Sequence, residues 1–161
     1  MAKHLITERR FLPYFCTQFL GAFNDNIYRN ALAIIVTYVL AKENQVLIIN
    51  VALVVFILPY FLFGALAGQL ADKYEKSWLI RRIKAAEILI MIFGSVAIYY
   101  QSMTMMLLVL FALGSQSAFF GPIKYSILPQ HLRPDEILSG NAYVEAGTFN
   151  ISVTTKYFIR S

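Results

Sequence analysis

Charge is the scarcest property of this chain. Asp, Glu, Lys and Arg make up 14% of its 161 residues, where soluble domains run near one quarter. Hydrophobic residues reach 58% and the mean hydropathy is +0.60. That balance excludes an ordinary soluble globule and points to an all-α membrane protein. Cysteine is almost missing: Cys16 stands alone, so no internal disulfide can form. Histidine is confined to His4 and His131, far apart in sequence, and nothing reads as a metal site. There is no nucleophile elbow and no phosphate-binding glycine loop. His131 and Asp135 approach the His-x-x-x-x-Asp pattern of glycerolipid acyltransferases, but one residue too few separates them and Pro134 disturbs the local geometry. The chain itself is therefore not expected to be an enzyme, to hold a cofactor or to bind nucleic acid.

What is present is a series of long apolar runs. A spanning helix needs about 20 largely apolar residues. Residues 11–41 form the first run, about 45 Å long at 1.5 Å per residue, so it must tilt or project beyond the hydrocarbon. Lys3, Arg9 and Arg10 precede it as in a signal peptide, but no small-x-small cleavage site follows, and a first membrane span is expected. Lys42, Glu43, Asn44 and Gln45 are the first polar break. Residues 46–70 form a second, charge-free span with Pro59 near its middle, where a kink is expected. Gly64-Ala65-Leu66-Ala67-Gly68 is a small-xxx-small pattern suited to close helix approach. From Ile88 to Ile123 no charge occurs, a length that suits two spans, at 80–100 and 103–125, divided at Tyr99-Tyr100-Gln101-Ser102. Residues 137–149 resemble the start of an incomplete fifth span, with a polar tail over 150–161 that reads as a truncation or a change of reading frame.

Basic residues fix the expected orientation. Lys3, Arg9 and Arg10 precede span one, and Lys73, Lys76, Arg81, Arg82 and Lys84 follow span two. The opposite side has Lys42. The positive-inside rule places the N-terminus in the cytoplasm.

One stretch breaks the apolar pattern. Asn24, Asp25, Asn26, Arg29 and Asn30 fall within seven positions in the middle of span one. A charge at membrane depth is costly and persists when paired or solvated in a cavity. Asp25 and Arg29 are four apart and share a helix face, as do Asn26 and Asn30. One reading is a self-neutralising pair that fixes helix packing. The other gives Asp25 a part in coupling to a cation, Na⁺ or H⁺, with the asparagines lining a cavity. Lys124, near the end of span four, either snorkels to the interface or binds a phosphate as a point charge. Lys84 and Glu87, three apart, read as a surface pair.

Gly68-Gln69-Leu70-Ala71-Asp72-Lys73-Tyr74-Glu75-Lys76 resembles the signature of the major facilitator superfamily, G-x-L-A-D-R-x-G-R. The match lies at Gly68, Leu70, Ala71 and Asp72, and conservatively at Lys73 and Lys76. Glu75 stands where that family has glycine. Further stretches, Phe19 to Asn26, Phe120 to Pro129 and Asn141 to Phe149, resemble the superfamily's bacterial lysophospholipid transporters over residues 9–149, about the first third of a twelve-span protein. The resemblance implies a secondary transporter that moves lysophospholipid across a bacterial inner membrane toward the cytoplasm. It also implies partner helices beyond those of this chain. Another small solute, or a module fused to an acyltransferase and an acyl-carrier-protein synthetase, are the alternatives it leaves open.

Overall fold

The computed structural model describes residues 8–40 and 44–160, with the side chains of 39–40, 131 and 149–160 outside the description. Lys3, Lys42 and Glu43, named above for orientation and for the first break, lie outside it as well. The elements are α1 (Leu12–Ile35), a π-helical turn (Val36–Leu40), α2 (Gln45–Lys73), α3 (Lys76–Tyr99), α4 (Met103–Ser126), the single turn α5 (Leu128–His131) and α6 (Ile137–Arg160). Among the described residues there is no strand, and α2 and α4 are both long and apolar enough to cross a membrane. The protein is an all-α membrane protein.

The chain divides into two compact units. One comprises Ala31–Ile123 and the other Met1–Asn30 with Lys124–Ser161. In the first, α2, α3 and α4 pack in succession. Apolar Ala71, Leu79 and Ile123 are buried together where α2 ends, α3 begins and α4 ends. Further along, Phe63 stacks on Phe119 at 5.6 Å and meets Phe111 edge-on at 6.4 Å. α2 and α4 therefore run parallel, with α3 antiparallel between them in sequence.

The closest approach of α2 and α4 is at Gly114. A Cβ built there would sit 2.3 Å from the Phe56 backbone oxygen. Apolar lipid gives helices no hydrophobic reason to associate, so such small-residue contacts hold them. Gly64 and Gly68 were the expected contact points, yet neither has a neighbour within 4 Å of an added Cβ. Gly64 and Gly68 thus meet open space, though Ala67 between them is buried, and the tight contact is made by a glycine of α4 instead.

The helix ends have local causes. Glu75 caps α3: its carboxylate accepts from Ser77 N at 3.0 Å and Trp78 N at 2.8 Å. Its backbone is extended at φ −65°, ψ 126°, so the turn needs no glycine, which accounts for the departure from the family signature at that residue. α3 ends in a Schellman motif. Ser102 N donates to Ala97 O at 3.2 Å and Gln101 N to Ile98 O at 3.0 Å. Gln101 takes the left-handed position, φ 50°. Pro59 is buried inside α2, which continues unbroken to Lys73.

The second unit is held by aromatic residues. Phe11, Leu128, Leu132 and Val144 form a buried cluster joined by Tyr14, Phe15, Ile137 and Tyr143. Phe11, Phe15 and Phe19 stack along α1 at 5.9 and 6.0 Å. Gly140 faces Leu132 and Phe11, and Gly147 faces Phe15 and Phe19, so α1 and α6 run parallel. The backbone stays helical to Arg160. With no proline or glycine after Gly147 to stop it, the backbone of α6 runs on through the polar residues 150–160.

Candidate functional site

The polar stretch of span one lies wholly within α1. Asn26 is buried, while Asn24, Asp25, Arg29 and Asn30 are half-buried. The Asn26 amide bridges two turns. Its Nδ2 donates to Ala22 O at 2.7 Å, and its Oδ1 accepts from Arg29 Nη2 at 2.8 Å. Asp25 and Arg29 lie one helical turn apart on the same side. The asparagine therefore does more than line a surface: it fixes where the guanidinium sits.

Lys124 reaches a defined partner. Its side chain is 11% exposed, and its Nζ lies 2.9 Å from Glu145 Oε1 on α6. Tyr125 donates its hydroxyl to the same oxygen at 2.7 Å. Tyr14 of α1 donates to the Lys124 carbonyl oxygen at 2.6 Å. That bond engages the backbone two residues after Pro122, whose missing N–H interrupts the α4 ladder. Three helices thus converge on one ammonium–carboxylate pair. Glu145 remains 55% exposed on its side chain. One turn earlier on α6, Asn141 Oδ1 is buried and accepts no hydrogen bond among the described residues. Sequence reading reached Lys124 but not Glu145, which lies on another helix at no informative spacing. A lone carboxylate in the apolar start of α6 was the available signal.

The residues of the signature lie at one end of α2 and the start of α3. Asp72 and Lys73 are exposed on the last turn of α2, and Lys76 is half-buried at the first position of α3. Lys73 Nζ lies 5.7 Å from the Tyr74 ring. Arg82 lies over Trp78 at 5.2 Å, and Trp78 stacks on Tyr74 at 5.8 Å. The hydrogen bond from Ser77, with the Trp78 and Ser77 backbone N–H groups, holds the Glu75 carboxyl below the usual carboxylate range. Before α6, Glu136 is likewise held low, first by the Arg133 N–H and then by the Arg10 guanidinium, 2.8 Å away.

Lys84 and Glu87 correct an expectation. They read as a surface pair, yet Glu87 is 7% exposed. Its Oε2 lies 2.6 Å from Lys84 Nζ and accepts from Gln116 Nε2 of α4 at 2.9 Å. Ser117 donates to Gln116 Oε1 at 3.2 Å. The local spacing was visible in the sequence; the amide from a second helix that allows burial was not.

Helices of spanning length, charges paired inside them and a basic rim at one end define a polytopic membrane protein with polar sites inside its helical bundle. Along nearly all its length it is similar to curated proteins named lysophospholipid transporter LplT. The match to that of Serratia proteamaculans is 25% identical over 146 residues, 89% of this chain and 34% of the relative. Those of Yersinia enterocolitica and Yersinia pestis are 24% identical over 151 residues, 92% of this chain and 34% of each relative. The chain spans about a third of the length of the curated relatives it matches. The similarity bears out the resemblance to the major facilitator superfamily carried by Gly68, Leu70, Ala71 and Asp72. No family model matches the chain, and no solved structure does.

Proposed function

We propose that this chain is the first part of a secondary transporter that carries lysophospholipid across a bacterial inner membrane toward the cytoplasm. The observation that carries the reading is the Lys124–Glu145 pair. A zwitterionic headgroup has an anionic phosphate and an ammonium. Lys124 is suited to the phosphate as a point charge, and Glu145 with Asn141 to the ammonium. Exchange of one ion pair for two keeps every charge compensated at membrane depth. The relatives named lysophospholipid transporter support this substrate over another solute. Asp25, fixed beside the Asn26–Arg29 bridge, is the group for coupling to Na⁺ or H⁺, with Asn24 and Asn30 on the cavity wall. The N-terminus is cytoplasmic. Helices of the remaining protein complete the cavity, and Asp72, Lys73 and Lys76 serve as a charged latch toward them.

The test is uptake of labelled lysophosphatidylethanolamine into vesicles that carry this chain within its full reading frame. Lys124→Gln is expected to lower uptake by about ten- to a hundredfold, the worth of one hydrogen bond to a charged group. Uptake unchanged by that substitution, or uncompeted by unlabelled lysophospholipid, would overturn the reading.

A further inference from the structure

The face between α3 and α4 carries a furrow that transport by the Lys124 site does not use. Two apolar depressions, of ≈ 390 and ≈ 250 Å³, share Ile90 and Ala112 and so run into one another. Ile83 lines one end and Phe93 the other. Ten residues of helix separate these, about 15 Å, which is half the roughly 30 Å hydrocarbon core and hence the depth of one leaflet. The walls are aliphatic and aromatic throughout, apart from Ser115 and Gln116 at the Ile83 end.

That end is also where the charge lies. Arg81 and Arg82 are exposed on the first turns of α3. Arg82 is one turn before Ala86, which lines the furrow, so the two share a helix face. Trp78, the single tryptophan, is 45% exposed beside Arg82, and indoles settle at the headgroup level. The furrow therefore begins just inside a cationic, headgroup-level rim and ends near mid-membrane. Of the nearby acids, Glu87 faces Lys84 and Gln116 and Glu75 caps the first N–H groups of α3, so Arg81 and Arg82 keep the rim positive.

We propose that this furrow is a binding site for an anionic glycerophospholipid of the leaflet on the Arg82 side. Its phosphate lies against Arg82 and one acyl chain lies along Ile83 to Phe93. The proposal stands independently of the transported substrate.

Trp78 is the reporter. The chain is reconstituted in phosphatidylcholine vesicles doped with phosphatidylglycerol whose acyl chains are brominated, and quenching is read against lipid fraction. Half-maximal quenching is expected at an about fivefold lower fraction than with brominated phosphatidylcholine, the gain of one basic side chain at an anionic headgroup. Arg82→Gln should abolish that preference. Ala112→Phe fills the furrow at its joint, remote from Trp78, and should lower the saturating quench while circular dichroism shows unchanged helix. Coincident curves for the two lipids would overturn the proposal, as would a preference that Ala112→Phe leaves intact. Disulfide-linked dimers formed through Ala112→Cys in a Cys16→Ser background would assign the furrow to a second copy of the chain and also overturn it.

Discussion

Substituting Gly114 by alanine tests the helix packing most directly. The new Cβ would lie 2.3 Å from a backbone oxygen of α2, and ordinary contact for such a pair begins near 3.4 Å. Because the obstacle is backbone, no rotamer change relieves it, and α2 and α4 must separate by about 1 Å. A gap of that size forfeits a quarter to a half of each dispersion contact worth about 0.1–0.2 kcal/mol. The crossing also positions Phe56 and the Phe63–Phe111–Phe119 group. With a few tens of atom pairs affected, the loss is about 1.5–3 kcal/mol, within the usual range for overpacking. Against it stands the better helix propensity of alanine, about 1 kcal/mol. The net expectation is a loss of about 0.5–2 kcal/mol, read as a fall of roughly 1–8 °C in the thermal midpoint in detergent, followed by Trp78 fluorescence. Gly64→Ala is the control, because its Cβ meets open space; propensity alone should make it neutral or stabilising. Equal midpoints for Gly114→Ala and Gly64→Ala would refute the reasoning, since the two differ only in what the methyl group meets.

Gln101→Gly should stabilise the α3–α4 hairpin by about 1 kcal/mol by removing a side chain from left-handed backbone, measured as a rise in the same thermal midpoint. Glu87→Ala should cost about 2–4 kcal/mol because it leaves Lys84 facing a buried site without its countercharge; Lys84→Met with Glu87→Ala should cost less than the two single changes added, in a double-mutant cycle by denaturant titration. The carboxyl groups of Glu75 and Glu136 are held below their usual value of 4.5, so the stability they contribute is full above that value and is lost as pH falls through their folded values. Glu75→Gln and Glu136→Gln should each flatten the acid limb of a midpoint-versus-pH curve and leave the neutral limb level.

The helices were legible in the sequence where composition changes abruptly. α2 ends and α3 begins where Asp72 to Lys76 interrupt the apolar run, and the α3–α4 turn falls at Tyr99 to Ser102, where paired tyrosines and two polar residues sit between uncharged stretches. Such boundaries are local, and local chemistry announces them. Pairings between helices are not local. Glu145 stands 21 residues from Lys124 and Gln116 stands 29 from Glu87, and each interval crosses a break between helices, where helical periodicity carries no information. The glycines make the same point: the small-xxx-small spacing at Gly64 and Gly68 is visible, but whether a backbone lies opposite depends on a second helix. The close contact falls on Gly114, where Gly114-x-x-x-Ala118 has the same spacing, so spacing alone does not say which stripe meets a partner. Glu75 shows the reverse case, a departure from a known motif that becomes sensible once its carboxylate is seen capping α3.

The buried bond between Glu87 and Gln116 has a mechanical consequence. Apolar helices in lipid slide past one another cheaply, because one hydrocarbon contact replaces another. A shift of a single residue, about 1.5 Å, would pull Gln116 from Glu87 and take from the buried carboxylate its bond to the second helix. The bond thus acts as a detent on α3 and α4, and with the short turn at Gln101 it clamps the hairpin at its tip and near mid-length. Any motion of this region must carry those two helices as one lever.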